Sequence, residues 1–200
     1  MLSLRLLSAA LLSVALGWSA PNSASADTIT DIVLQSGGEF DENRRDFDIL
    51  LNAVVTADLA DALANPKAQL TVFAPNDRAF VRLATDLGFD GGYDEAGAWA
   101  FLVDALTGLG EGDPIPLLTD ILLYHVVDGD VRPVDLVIAT LFGNEITTLL
   151  GETFRPFFFL ALIDKDPELR NPSVIKPANI IASNGRIHSL NRVLMPFDLP

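Results

Sequence analysis

The chain has no cysteine. No disulfide can staple the fold, and no thiol can act as nucleophile or metal ligand. Histidine is scarce, with only His125 and His188, which leaves little imidazole for metal binding or acid/base work. Positive charge is also short: 13 Lys and Arg stand against 27 Asp and Glu, a net charge of −14. Such a field repels phosphate backbones and anionic lipid surfaces, which argues against a nucleic-acid partner and suits cations or a basic partner. No Gly-x-Ser-x-Gly elbow occurs, and Ser183 and Ser189 lie in strand-like segments without an evident base and orienting acid. Gly91-Gly92 and Ser36-Gly37-Gly38 lack the strand, helix and lysine that flank a phosphate loop. Beyond the N-terminus the longest apolar run, Phe157 to Ile163, is seven residues, too short to span a bilayer and suited to a buried strand.

What is present begins with a leader. Arg5, an apolar run from Leu6 to about Leu16, and Ala24-Ser25-Ala26 before Asp27 have the order of a secretory signal cleaved after residue 26. Losing Arg5 takes the 13 basic residues to 12 against 27 acidic, a balance of −15. The remaining residues 27–200 suit one domain, with no transmembrane segment, and a hydrophobic content of 50% supplies a large core. Without cysteines that core alone must hold an exported chain together.

Local patterns divide the rest. Ile29, Ile32 and Val33 share a helical face that ends at Ser36-Gly37-Gly38; Phe47, Leu50, Leu51 and Val54 form a second, and Leu59 to Leu63 add a turn or two. Leu70 to Phe73 is a short strand stopped by Ala74-Pro75, after which Asn76 caps a helix carrying Phe80, Leu83, Ala84 and Leu87, with Asp77 as a favourable charge in its first turn. Residues 88–116, rich in glycine and acid, read as a solvated insertion with one helix presenting Trp99, Val103 and Leu106. Its Asp90, Asp94 and Glu95 lack the alternating oxygen ligands of an EF-hand loop. A helix over Leu117 to Leu123 runs into a strand from Tyr124 to Val127, and Pro133 starts a short helix to about Ile138. Strand-like runs follow at Asn144–Leu150, Phe154–Ile163, Ser173–Ile175, Ile180–Ser183 and Arg186–Leu194, with Asn184-Gly185 as the clearest hairpin turn. In Phe154 to Phe159, alternation places Phe157 and Phe159 on one face and Phe158 on the other; burial on both faces is expected, with an exposed patch or a pocket wall as the alternative.

Four stretches, taken in order, resemble the fasciclin-like domain family over about Thr28 to Pro196. They are Asp46-Phe47 with the helix after it, Thr71-Val72-Phe73-Ala74-Pro75 with Ala79-Phe80, Leu122 to Val127 with Tyr124-His125, and Asn184-Gly185 with Ile187-His188 and Arg192-Val193-Leu194. The resemblance implies an α+β wedge, helices packed beside two small β-sheets, in which Thr71, Phe73, Pro75, Phe80, Asn184, Gly185 and His188 are fold-signature positions. It also implies a non-catalytic module acting in adhesion or matrix association, with no general cofactor or reaction. Contacts carried over from the family fall at Tyr124, His125, Asn179 and Ile180. Where many adhesive members have aspartate before isoleucine, this chain has Asn179-Ile180, and asparagine lacks the carboxylate that would ligate a receptor-bound cation. The second box also departs at Ser189-Leu190 and Asn191, and the chain ends at Pro200 without a second domain or anchor signal.

The sequence therefore predicts a secreted, extracellular or periplasmic interaction module whose partner is an extracellular protein or polysaccharide. No catalytic, cofactor or metal residues are expected, and both histidines are expected to support the fold through backbone carbonyls. The alternative is a carrier of a small apolar molecule, a lipid or a pigment, with Phe154 to Phe159 as its wall. Acidic side chains are expected on solvated faces, where calcium would bridge molecules only weakly and without an ordered site.

Overall fold

The computed structural model describes residues 27–199; the leader expected over residues 1–26 lies outside them. Three helices open the fold: α1 (Ile29–Ser36), α2 (Asp48–Thr56) and α3 (Ala60–Ala64). Thr28 and Asp31 start α1 with a capping box, the Asp31 amide donating to Thr28 Oγ1 and the Thr28 amide to Asp31 Oδ2. Next come β1 (Leu70–Pro75), α4 (Asp77–Asp86), α5 (Glu95–Leu109), α6 (Ile115–Tyr124), β2 (Val126–Asp128) and α7 (Pro133–Phe142). The C-terminal part is mostly strand: β3 (Ile146–Thr147), β4 (Thr153–Phe157), β5 (Ala161–Ile163), β6 (Ile180–Ala182) and β7 (Gly185–Leu190).

The strands form two sheets, one ordered β2-β1-β7-β6 and one ordered β3-β4-β5. β1 lies parallel to β7 in the register Leu70–Gly185 to Pro75–Leu190, and β2 flanks β1 antiparallel. The two signature stretches, 115 positions apart in the sequence from Leu70 to Gly185, are thus adjacent strands of one ladder, with the segment after Tyr124-His125 on the other side. β1 is buried along its whole length, as a central strand covered on both faces should be. Its alternation serves two cores. Val72 and Ala74 join the helices α1, α2 and α4 to α6, whereas Phe73 enters a smaller core with Tyr124, Leu136, Phe154 and Leu190. Phe73 meets Phe154 edge-on at 5.0 Å, a favourable aromatic geometry.

Several boundaries differ from the local reading. The Phe154–Ile163 run is a hairpin rather than one strand: Phe157 pairs with Ala161, and a 3-10 turn at Phe158–Leu160 reverses the chain. α7 continues past Ile138 to Phe142, because no breaker intervenes before Gly143 takes the left-handed conformation at φ 68°. Ser173 and Val174 make only isolated bridges. Tyr124 ends a helix instead of starting a strand. The 88–116 segment is not merely solvated, since Ala98, Leu102 and Leu106 of α5 are buried in the larger core.

Among the described residues, no helix is long and apolar enough to cross a membrane.

Candidate functional site

The residues singled out from sequence fall into two groups. Tyr124 and His125 are buried, at 0% and 2% exposure. The Tyr124 hydroxyl donates to the Thr153 carbonyl at 2.8 Å, joining the end of α6 to β4. His125 Nδ1 donates to the Ile121 carbonyl at 2.7 Å and its Nε2 accepts from the Leu194 amide at 2.9 Å. Burial pushes the imidazole pKa down to about 4, so the ring is neutral with one tautomer fixed by its partners. His188 is also fully buried, Nε2 donating to the Val131 carbonyl at 2.8 Å and Nδ1 accepting from the Asn179 amide. The two rings are saturated by backbone. Tyr124 and His125 therefore cannot form a contact surface in this conformation, a correction that follows from their burial.

The other pair lies at the start of the edge strand β6, Asn179 just before it and Ile180 as its first residue. Asn179, at φ 63°, is exposed, and its side-chain oxygen accepts from Arg186, which also pairs with Asp130 at 2.6 Å. Ile180 packs against the larger core, and it is Ile181 that faces outward.

The signature positions hold distant elements together. Thr71 Oγ1 donates to the Gly129 carbonyl at 2.7 Å and accepts from the Val131 amide at 2.8 Å. Asn184, fully buried, accepts from the Ile29 amide at 2.9 Å and donates to the carbonyls of Leu63 and Asn65 at 2.8 and 3.0 Å. Gly185 follows at φ +152°, and a Cβ there would lie 1.9 Å from the Leu70 carbonyl oxygen, so only glycine lets β7 approach β1. Pro75 closes β1, and Phe80 is buried on α4.

Sequence reading missed an exposed apolar face on α7. Along α7, Val134, Val137, Ile138, Leu141 and Phe142 are at least half uncovered or nearly so, with Leu141 at 70% and Phe142 at 77% exposure. Phe157 and Phe158, at the β4 corner, add to this face, and Phe158 is 61% exposed. A shallow groove of about 240 Å³ separates Val137, Thr140 and Leu141 from Phe157, Phe158 and Leu160. The signal was available: Val134 to Phe142 is apolar on nearly all sides, and only Leu136 and Ala139 are buried. A helix apolar all round must bury its second face somewhere. Phe154, by contrast, is core, so the aromatic run is divided.

Two further features shape the surface. An apolar cavity of about 200 Å³ opens among α1, α2, α3, β1 and α6, lined by Val33, Leu50, Val54, Leu63, Leu70 and Leu122. Phe154, Phe157 and Phe158 are not among the residues that line it. Elsewhere Arg44, Arg45, Arg78, Arg82 and Lys176 line a cleft of about 500 Å³, and among the described residues none of them forms an ion pair. The net negative charge thus conceals a local basic surface.

Comparison with known proteins agrees with this geometry. A model of the fasciclin domain matches residues 45–196. The chain is 31% identical to the uncharacterized protein sll1735 of Synechocystis sp. over 153 residues, covering 74% of this chain and 89% of that one. It is 30% identical over 174 residues to protein sll1483 of the same organism, covering 86% of this chain and 77% of that one. Among solved structures it resembles a FAS1 domain pair from the insect cell adhesion molecule fasciclin I, with a TM-score of 0.59 and 19% identity. The match covers 84% of this chain and 51% of the pair, so the chain spans about half that structure's length. At that identity the likeness is one of fold: helices packed beside two small sheets.

Proposed function

The chain belongs to the fasciclin domain family, and on that premise we propose that it is an exported, non-catalytic interaction module in adhesion or matrix association, which binds a protein partner through the apolar face of α7 and the Phe157–Phe158 corner. The exposed face carries the reading. Seven large apolar side chains, from α7 and the β4 corner, stand between 44% and 77% exposed, where soluble monomers tend to scatter such residues singly. Together they leave the equivalent of about four whole side chains uncovered, and covering them would contribute roughly 6–12 kcal/mol at 1.5–3 kcal/mol each. Association itself costs about 4–15 kcal/mol. The balance suits a moderate, reversible contact of the kind adhesion uses.

The leader supports export, and the saturated histidines offer no reactive imidazole. The test is retention of the purified chain on extracellular material from its native source, comparing wild type with Leu141→Asp and Phe158→Asp. The reading predicts retention that both substitutions abolish without unfolding the protein. Equal retention by all three would overturn the placement, and absence of retention together with substrate turnover would overturn the function.

A second reading, carriage of a small apolar molecule, rests on the cavity beneath α1 to α3. At about 200 Å³ it exceeds the engineered cavity of ~150 Å³ that accepts benzene, but falls below the ~300 Å³ at which drug-sized sites begin. It suits a small ring or the end of an acyl chain. Native mass spectrometry of protein from its source would reveal such a ligand; a bare chain that binds neither class would remove the idea.

A further inference from the structure

Four carboxylates converge under the loop that precedes α2. Asp46 ends that loop, while Asp48, Asp77 and Glu95 are the first residues of α2, α4 and α5. All four are at least nine-tenths buried. Oxygens of Asp46, Asp77 and Glu95 lie within 4.8 Å of one another, and Asp46 is shared with a second group that includes Asp41 and Asp48.

Their hydrogen bonds leave part of the set unsatisfied. Asp77 Oδ1 accepts from the Ile49 amide at 2.8 Å, and Asp46 Oδ2 from Asn43 Nδ2 at 2.8 Å. Glu95 Oε1 accepts from the Tyr93 hydroxyl at 2.7 Å and Oε2 from the Asp41 amide at 2.8 Å. Asp48 Oδ1 accepts from the Gly38 amide. Asp46 Oδ1, Asp48 Oδ2 and Asp77 Oδ2 are buried without any partner. Among the described residues, no lysine or arginine pairs with these acids. Arg44 stacks on the Tyr93 ring, with its guanidinium carbon 4.2 Å from the centroid.

Such an arrangement needs a counter-charge. The helix N-termini supply partial positive charge, but three ionised carboxylates this close in a buried site repel one another far more strongly than exposed ones.

We propose that Asp46, Asp77 and Glu95 form a calcium site, with Asp48 and Asp41 as its approach from solvent. An all-oxygen donor set selects a hard cation. Calcium tolerates an irregular shell at about 2.3–2.6 Å, whereas magnesium demands a near-ideal octahedron at about 2.0–2.1 Å and holds its waters. The three carboxylates belong to three different elements, so no sequence-local loop of ligands exists. The ion joins the loop before α2 to α4 and to the start of α5.

The test uses the purified chain after chelator treatment, titrated with calcium by calorimetry and with terbium by luminescence excited through tyrosine. Tyr93, bonded to Glu95, is the expected sensitiser. The site predicts saturable binding at one ion per chain, sensitised terbium emission that calcium displaces, and a thermal midpoint raised by several degrees. Asp46→Asn and Glu95→Gln should each weaken binding at least about tenfold, while Asp104→Asn, on the exposed side of α5, should not. Wild-type protein whose midpoint is the same with calcium and with chelator, and which binds no ion saturably, overturns the proposal and leaves shared protons as the counter-charge. Binding that persists in both variants overturns it as well, since it would come from the acidic surface at large.

Discussion

Replacing Asn184 by alanine removes three hydrogen bonds at once. The side chain accepts from the Ile29 amide and donates to the carbonyls of Leu63 and Asn65, at distances of 2.8 to 3.0 Å. Ile29 is fully buried, so its amide would lose its partner with no water to replace it, at a cost of about 1–3 kcal/mol. The two carbonyls are partly exposed and regain some hydration, adding roughly another 1 kcal/mol together. A total near 3 kcal/mol is a large share of the ~5–15 kcal/mol that holds a domain folded. With a urea m-value of about 2 kcal/mol/M, the midpoint should fall by about 1.5 M at unchanged slope. Asn184→Asp should be worse than alanine at neutral pH, because it turns an acceptor oxygen and a buried charge toward two carbonyls. Urea melts followed by tryptophan fluorescence measure both. An Asn184→Ala midpoint within about 0.3 M of wild type would refute the reasoning, and with it the idea that this signature residue acts as the fastener between the β6–β7 hairpin and the opening helices.

Gly185→Ala should cost more than about 2 kcal/mol, because its Cβ would meet the Leu70 carbonyl oxygen; a urea midpoint close to wild type would show that β7 can move away from β1. The contribution of His125 to stability should decline as pH falls from about 6.5 toward 4, since the unfolded chain protonates its histidine before His125, held at about 4, can do so; that contribution is about 3 kcal/mol in full. Asp164, raised to about 6 by burial, acts in the opposite sense between 6 and 3.8, as do the other buried carboxylates that burial raises, so an NMR titration of the His125 ring, which should stay neutral to about pH 4, isolates its part. Phe158→Asp should change stability by no more than about 0.5 kcal/mol, which a thermal melt checks directly.

How much of this was legible depended on how local the cause was. The capped corner after β1 was readable because Asn76, Ala79 and the Phe80–Ala84 face lie within one helical turn or two of each other. That Leu70 to Pro75 pairs in parallel with Gly185 to Leu190 is a long-range fact that no local pattern carried. Phe154 to Phe159 read as one strand because alternation says nothing about where a chain reverses. Leu141 and Phe142 suit a buried strand as well as a helix, so the end of α7 was legible only from the lack of a breaker before Gly143. Least visible was the fate of the acids. Asp77 has the position of an ordinary favourable charge at a helix start, and Glu95 that of a solvated residue in an insertion. Their burial arises only because three helix starts meet. Net charge misled in the same way about the cleft of Arg44, Arg45, Arg78, Arg82 and Lys176, because a sum over the chain carries no positions.

The central claim is that this fasciclin-domain chain works by contact through α7 and the Phe157–Phe158 corner. The most direct measurement places a photo-crosslinking residue at position 141 and exposes the purified chain to intact extracellular material from its source, with a second probe at exposed position 104 as the control. The account predicts a specific covalent adduct to another protein from position 141, lost on addition of Phe158→Asp, and none from position 104. Adducts of equal yield from both positions, or none from position 141 while the chain is still retained, would contradict it.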